Sequence, residues 1–411
     1  MTRPWMRLGC GILGLAIALA GCGGGGGDPL SEHAEEVYDR YVAESSDFRA
    51  YAVSLATNSR SERARRLLAE AIRSPERGIA MEAIHGMDDV PDPELRAAVR
   101  EVFDSRSGAL KLSAALALAR SGEADALAWL RTQLDDAGAL PGADAFKILA
   151  AAGDREKVQA VLADRVASED AAVRDEVYRI LGEIGTSWAA KMLLEGLERE
   201  HGEGRREAIV ALGRCGSAAD AAKIRPFTNT RGLVLPSIEA LGALGDTASA
   251  PALKKLLAHE EPRVVLYAAV ALLKIDGDAS SREAVERVRA DADPAVRRLL
   301  AEQLAALDPA ASGTWLAALA GDEHKDVQVE ALRALAAGGT PQAVETAAGL
   351  VNDPDYEVAT LALNLLAAHG TTAERSALEG LLDSPNPYVA LSAADAMVAI
   401  GDRAGEGESP G

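Results

Sequence analysis

A chain of 411 residues that is 48% apolar, only 4% aromatic and 26% charged can build a large core, and must build it from alanine, leucine, valine and isoleucine. That palette suits closely packed helices rather than sandwiches or barrels, and the charge content excludes a polytopic membrane protein. A net charge of −20 repels phosphate backbones and anionic lipid, which sets nucleic acid aside as a partner.

The chain opens on a short basic stretch with Arg3 and Arg7. An uncharged run of 13 residues comes next, from Leu8 to Ala20. It falls short of the ~20 residues that span a bilayer and fits the hydrophobic region of a secretory signal peptide. Ala20 and Gly21 place small side chains directly ahead of Cys22, and Gly23–Gly27 come after it. The text Leu19-Ala20-Gly21-Cys22 resembles the lipobox of bacterial lipoproteins. The resemblance implies a signal peptide over 1–21, cleavage before Cys22, a lipid on its thiol, and a glycine-rich tether over 22–30. Multiple acyl chains hold a protein stably at a membrane, and a glycine run behaves as flexible coil. In that family an aspartate directly after the cysteine favours the inner membrane. Gly23 stands there instead, which implies the outer membrane with the body facing the periplasm. An ordinary signal peptide with a chance cysteine, or an uncleaved anchor, is the alternative.

Residues 31–73 are helical in pattern but out of phase with the rest of the chain. Ser31 and Glu35 have the spacing of a capping box, and the region reads as an N-terminal cap. The basic text Arg60–Leu67 reads as one solvated helix face.

Beyond residue 73 the chain repeats. Gly122, Gly153, Gly185, Gly216, Gly245, Gly277, Asp308, Gly339, Gly370 and Gly401 recur at steps of 29–32 residues. Four residues before these anchors stand Leu118, Leu149, Leu181, Leu212, Leu241, Leu273, Leu304, Leu335, Leu366 and Met397. Eight after them stand apolar residues such as Leu130, Leu193, Leu253 and Leu316. Apolar steps of four mark one helix face, so each unit is two helices joined by turns. The anchor glycine suits a left-handed C-cap, and Asp308 can visit the same region. Asp293-Pro294 and Asn386-Pro387 pair an N-cap with a proline at the first helical position. Small residues three before the anchors, Gly182, Gly213 and Gly242 among them, let helices approach closely.

The stretches DAAVRDEVYRILGEIG, DPAVRRLLAEQLAAL and KDVQVEALRALAAGG resemble HEAT repeats, in particular the short HEAT-like type of phycobilisome lyases, with the Val-Arg signature at Val173-Arg174 and Val296-Arg297. The expectation is an all-α solenoid of about ten two-helix repeats over residues 74–401, with a period of about 31 residues. Residues 402–411 read as a disordered tail. The last unit is incomplete, which leaves its stack without a second helix: a simple end or a docking surface.

Chemistry is sparse. The Asp322, Glu323, His324 and Asp326 cluster reads as a solvated turn rather than a metal site. Cys215 reads as a small buried hydrophobe, and no phosphate loop follows a strand. No catalytic residue, cofactor or metal is expected. One face could carry function. Six residues before the anchors stand Arg179, Glu239, Glu302, Arg333, Asn364 and Asp395; nine before stand Glu176, Glu207 and Glu330. These columns oppose the leucine column. In HEAT proteins the matching helix lines the concave side, so the resemblance implies a groove that contacts a protein partner. The expected function is a membrane-anchored, non-catalytic scaffold or adaptor of the cell envelope. The alternatives are a lyase- or chaperone-like protein acting on a chromophore-bearing or other partner, and a structural part of the envelope.

Overall fold

The computed structural model describes residues 29–57, 62–86, 92–134 and 142–407. The leader, Cys22 and the glycines after it lie outside the described residues, as do residues 408–411. The described residues form twenty-four α-helices and no strand. The first eight are α1 (Pro29–Glu44), α2 (Ser46–Ala56), α3 (Glu62–Ile72), α4 (Arg77–His85), α5 (Pro93–Ser105), α6 (Gly108–Arg120), α7 (Ala124–Leu134) and α8 (Ala143–Leu149). Then come α9 (Arg155–Val166), α10 (Ala171–Ile184), α11 (Ser187–Arg199), α12 (Gly202–Cys215), α13 (Ala221–Ile224), α14 (Val234–Ala243), α15 (Ala250–Leu256) and α16 (Pro262–Ile275). The last are α17 (Ala279–Arg289), α18 (Pro294–Leu304), α19 (Pro309–Ala320), α20 (Lys325–Gly338), α21 (Pro341–Leu350), α22 (Tyr356–His369), α23 (Arg375–Glu379) and α24 (Pro387–Gly407).

Local chemistry sets the helix ends. The Asp170, Asp293 and Asp355 carboxylates accept the first free amides of α10, α18 and α22, and Thr186 and Thr340 do the same for α11 and α21. Gly185 and Gly339 end α10 and α20 in the left-handed conformation, with φ of 70° and 56°. Four anchors depart from that rule; Gly216 is extended and Gly401 lies inside α24. Asp308 has φ −56° and caps the start of α19 instead, its carboxylate accepting the Ala310 amide. Gly370 is extended; it is glycine because a Cβ there would lie 2.6 Å from the Leu366 carbonyl oxygen.

The even-numbered helices pack side by side in an unbroken order, α2 against α4 through to α22 against α24. The odd-numbered ones cover the grooves behind them, and neighbouring odd helices make substantial contact only at α3–α5 and α19–α21. The closer layer lies on the inside of the curve. Glycine makes it close: a Cβ on Gly182 or Gly213 would come within 2.9 Å of the Cα of Ala211 or Ala240. The core runs between the layers. Leu118, Leu149, Leu181, Leu212, Leu241, Leu304, Leu366 and Met397 are fully buried, each worth ~1.5–3 kcal/mol of transfer free energy.

Ion pairs stitch each unit to the next. Arg297 grips both oxygens of Asp322 at 2.7 and 2.9 Å and donates to the Asp291 carbonyl at 2.7 Å. Arg174 makes the same clamp, to Glu200 at 2.7 Å and to the Ser168 carbonyl at 2.9 Å. The Val-Arg signature is thus an inter-repeat clamp, and Asp322 is one jaw of it. Arg225–Asp246, Lys254–Asp278 and Lys325–Asp355 continue the series.

The stack does not end in an open groove. α24 packs against both α1 and α2, so α1 takes the outer place that the last repeat lacks, and the even series runs from α24 back into α2. Twelve inner helices close into a ring. Axes about 9 Å apart give a circular ring about 34 Å across, with about 24 Å of open width inside. Several expectations change with this. The incomplete last unit is completed by α1, and the N-terminal region is the closing piece rather than a terminal cap. Ser31 lies inside α1, not at its start. Residues 402–407 extend α24, and Arg403 there donates to the carbonyls of Ala367 and Gly370 at 2.5 and 2.8 Å. The basic face of α3 is not simply solvated: Arg63 pairs with Asp39 of α1 at 2.7 Å.

Candidate functional site: the inner face of the ring

Most of the residues six and nine before the anchors lie at the surface of the even helices. Glu176 and Arg179 on α10, Glu302 on α18 and Arg333 on α20 are exposed there. Glu207 on α12, Glu239 on α14, Glu330 on α20 and Asn364 on α22 are half-buried. The stripe is not free of structure. Glu207 is held by Arg206, Glu330 lies 3.8 Å from Arg298 of α18, and Arg333 lies 3.9 Å from Glu357 of α22. The last two pairs bridge neighbouring inner helices, and all three are screened by solvent, so each contributes little to stability.

The wall between α12 and α16 is concave. A cavity of about 510 Å³ opens there, lined in part by Arg206, Arg231, Glu239, His259 and Tyr267. Burial raises the Glu239 carboxyl above its ordinary range, against the pull of Lys274 and Arg214 and with the push of Glu302. Burial lowers the Lys274 ammonium in turn. On α16 the same columns hold Ala268 and Ala271, which are buried, Ala271 against Gly242 of α14, so the charged stripe is interrupted there.

Asp395 departs from its expected place. It belongs to the same column, yet it is 8% exposed, because α24 is where the ring closes and α1 and α2 cover it. Ser392, one turn earlier, is fully buried and lies 2.7 Å from the Tyr51 hydroxyl of α2. The residues that sequence reasoning missed gather here. Tyr388 of α24 meets Phe48 and Tyr51 of α2 edge to face, with centroids 5.5 and 5.1 Å apart, and stacks on Tyr356 of α22 at 6.1 Å. Tyr41 of α1 meets Phe48 at 5.6 Å. The signal was present in the composition. Of seven tyrosines, Tyr38, Tyr41, Tyr51, Tyr356 and Tyr388 stand near the two ends of the chain and only two stand between.

Cys215 is half-buried, and burial together with nearby Asp220 pushes its thiol up to about 11. Such a thiol is a poor nucleophile at neutral pH. Among the described residues no group of three or more histidine, cysteine or carboxylate side chains is arranged to hold a metal ion.

The geometry can be set beside known proteins. A family model for HEAT repeats matches residues 142–213 and 312–398, the stretches that hold the Arg174 clamp and the closing helices. These two stretches carry HEAT repeats. No curated protein matches it by sequence. Solved structures with similar helix pairs include an engineered protein, 20% identical over 90% of this chain and 99% of its own, with a TM-score of 0.29. The complex of CpcE and CpcF of phycocyanin lyase from Nostoc sp. is 23% identical over 62% of this chain and 94% of its own, with a TM-score of 0.32. Kap95p in its complex with RanGDP is 12% identical over 90% of this chain and 59% of its own, with a TM-score of 0.37. Likeness at this level describes the repeat and nothing more.

Proposed function

We propose that this protein is a lipid-anchored, non-catalytic scaffold that holds a protein partner against the inner face of its HEAT-repeat ring. The observation that carries the reading is the stripe of exposed Glu176, Arg179, Glu302 and Arg333 on a wall whose other faces are committed to packing. An interior about 24 Å across accepts a helix of about 10–12 Å or an extended segment. The wall carries both signs of charge and suits a partner of complementary mixed charge. Solenoids use such concave surfaces for binding.

Location is part of the same proposal. Cys22 carries the lipid, the leader is a signal peptide, and the ring stands at the periplasmic side of the outer membrane. Six residues lie between Cys22 and the start of α1 at Pro29, seven Cα steps, so the tether reaches at most about 24 Å and holds the ring close to the bilayer. Cys22→Ser should abolish incorporation of labelled fatty acid and release the protein from membranes.

The binding half is tested by a photo-crosslinking residue placed singly at Glu176, Glu302 or Arg333, and at Lys191 or Glu195 on the outer helix α11. In cells of the native organism, one stoichiometric adduct from inner positions and none from outer ones is expected. Adducts from α11 alone would place the interface on the outside and refute the reading.

A further inference from the structure

The ring closes where its two ends meet, and that junction is built differently from its neighbours. Between α10 and α16 the inner helices meet glycine on alanine. Between α24 and α2 they meet through the Tyr51–Ser392 hydroxyl pair and a row of partly exposed aromatic rings. The junction also holds a buried amide oxygen and a nearly buried carboxyl. The Asn364 side-chain oxygen is buried without a hydrogen-bond partner. The Asp395 carboxyl is buried one turn from Ser392, under α1 and α2.

We propose that α1 and α2 are a latch, and that the ring opens by their release from α24 when Asp395 carries its charge. A buried carboxylate needs a counter-ion or several donors. The groups facing Asp395 supply neither fully. From α1 there is Tyr38, whose hydroxyl is already given to the Ala52 carbonyl at 2.8 Å; from α2 there is Tyr51, engaged with Ser392. Arg403 of α24 itself attracts it, but Arg403 is turned to the end of α22 and is shared with Asp402. Asn364 and Thr360 of α22 bring no charge. Asp39 and Arg63 act one layer out, on Tyr38.

Burial pushes the Asp395 carboxyl up to about 7, with Arg403 opposing. In the released state it titrates as an ordinary carboxylate near ~3.9. Between those values the closed ring holds a proton that the open ring gives up. Opening therefore becomes easier by about tenfold per pH unit as pH rises toward 7, and flattens above it. The latch is tight in acid and loose at neutral pH. Tyr51→Phe should loosen it at every pH without changing that slope.

The test is amide hydrogen exchange by mass spectrometry on the intact chain at about pH 5 and about pH 7, corrected for the intrinsic chemical rate, with α10 and α12 as internal reference. Peptides from α1 and α2 should open about 50-fold more at the higher pH relative to the reference. Asp395→Asn should remove that difference and keep the latch closed at both values. Exchange in α1 and α2 that tracks the reference at both pH values overturns the proposal, as does an unchanged slope in Asp395→Asn. If that variant fails to fold, the wild-type slope decides alone.

Discussion

Gly242→Ala separates packing from propensity, because the two predict opposite signs. In a helix, alanine is better than glycine by ~1 kcal/mol. At Gly242 the added Cβ would lie 2.6 Å from the Cα and 2.7 Å from the Cβ of Ala271 on the next inner helix. Ordinary carbon contacts need ~3.5–4.0 Å. Both partners are backbone or its first carbon, so no rotamer change can relieve the overlap, and α16 must retreat by about 1 Å. Overpacking of this kind costs ~1–3 kcal/mol. The net expectation is a loss of up to about 2 kcal/mol. Gly349→Ala on α21 is the control, since nothing lies within 4 Å of its added carbon. It should stabilise by up to ~1 kcal/mol. Urea unfolding followed by circular dichroism, with amide exchange in α14 and α16, reads both. A raised urea midpoint for Gly242→Ala would refute the claim that glycine sets the inner spacing.

Three further outcomes rest on the same contacts. Arg297→Met strands an Asp322 carboxylate that is 10% exposed, and should destabilise α18–α20 by about 3 kcal/mol in denaturant, whereas Arg333→Met on the inner face should change stability by under about 0.5 kcal/mol. Tyr51→Phe removes the hydroxyl pair with Ser392 and should cost about 1 kcal/mol, seen as faster exchange in α1 and α2 with α10–α12 unaffected. In a chain with Cys10 and Cys22 replaced by serine, alkylation of Cys215 at about pH 8 should run ~100-fold slower than for a free thiol, and should speed up about tenfold per pH unit until about pH 11. A rate that levels off near the pH of an ordinary thiol would show that the site is open to solvent.

The repeat was legible in the sequence because burial imposes a period. Leucine four before each anchor and apolar residues eight after it are what two packed helices require, and the Val-Arg pairs at residues 173–174 and 296–297 turned out to be clamps between units. The candidate face was legible only as a column. Periodicity says that Arg179 and Asp395 share a phase; it cannot say that one faces solvent and the other lies under α1 and α2. That difference comes from contacts over more than 300 residues of chain, such as Tyr51 with Ser392 at a separation of 341. Phase gives no warning of them. The departure of Asp308 from the left-handed region has a similar origin. Aspartate gains more by capping α19 than by ending α18.

Closure also explains why the junction can be so unlike its neighbours. In an open solenoid each interface must hold by its own strength, and the end units fray. In a ring the last interface forms within one molecule, at an effective concentration in the millimolar range or above. The inner junctions from α2 round to α24 have already placed the ends side by side, so the final one needs only modest affinity. It can carry tyrosine hydroxyls and a buried carboxyl where glycine and alanine serve between α10 and α16. The same logic fixes where strain is released. Widening the inner layer at Gly182, Gly213 or Gly242 lengthens the perimeter, and on the latch proposal α24 against α2 is the junction that yields. Gly242→Ala should therefore speed exchange in α1 and α2 although it lies on neither helix. An open stack would confine the effect to α14 and α16.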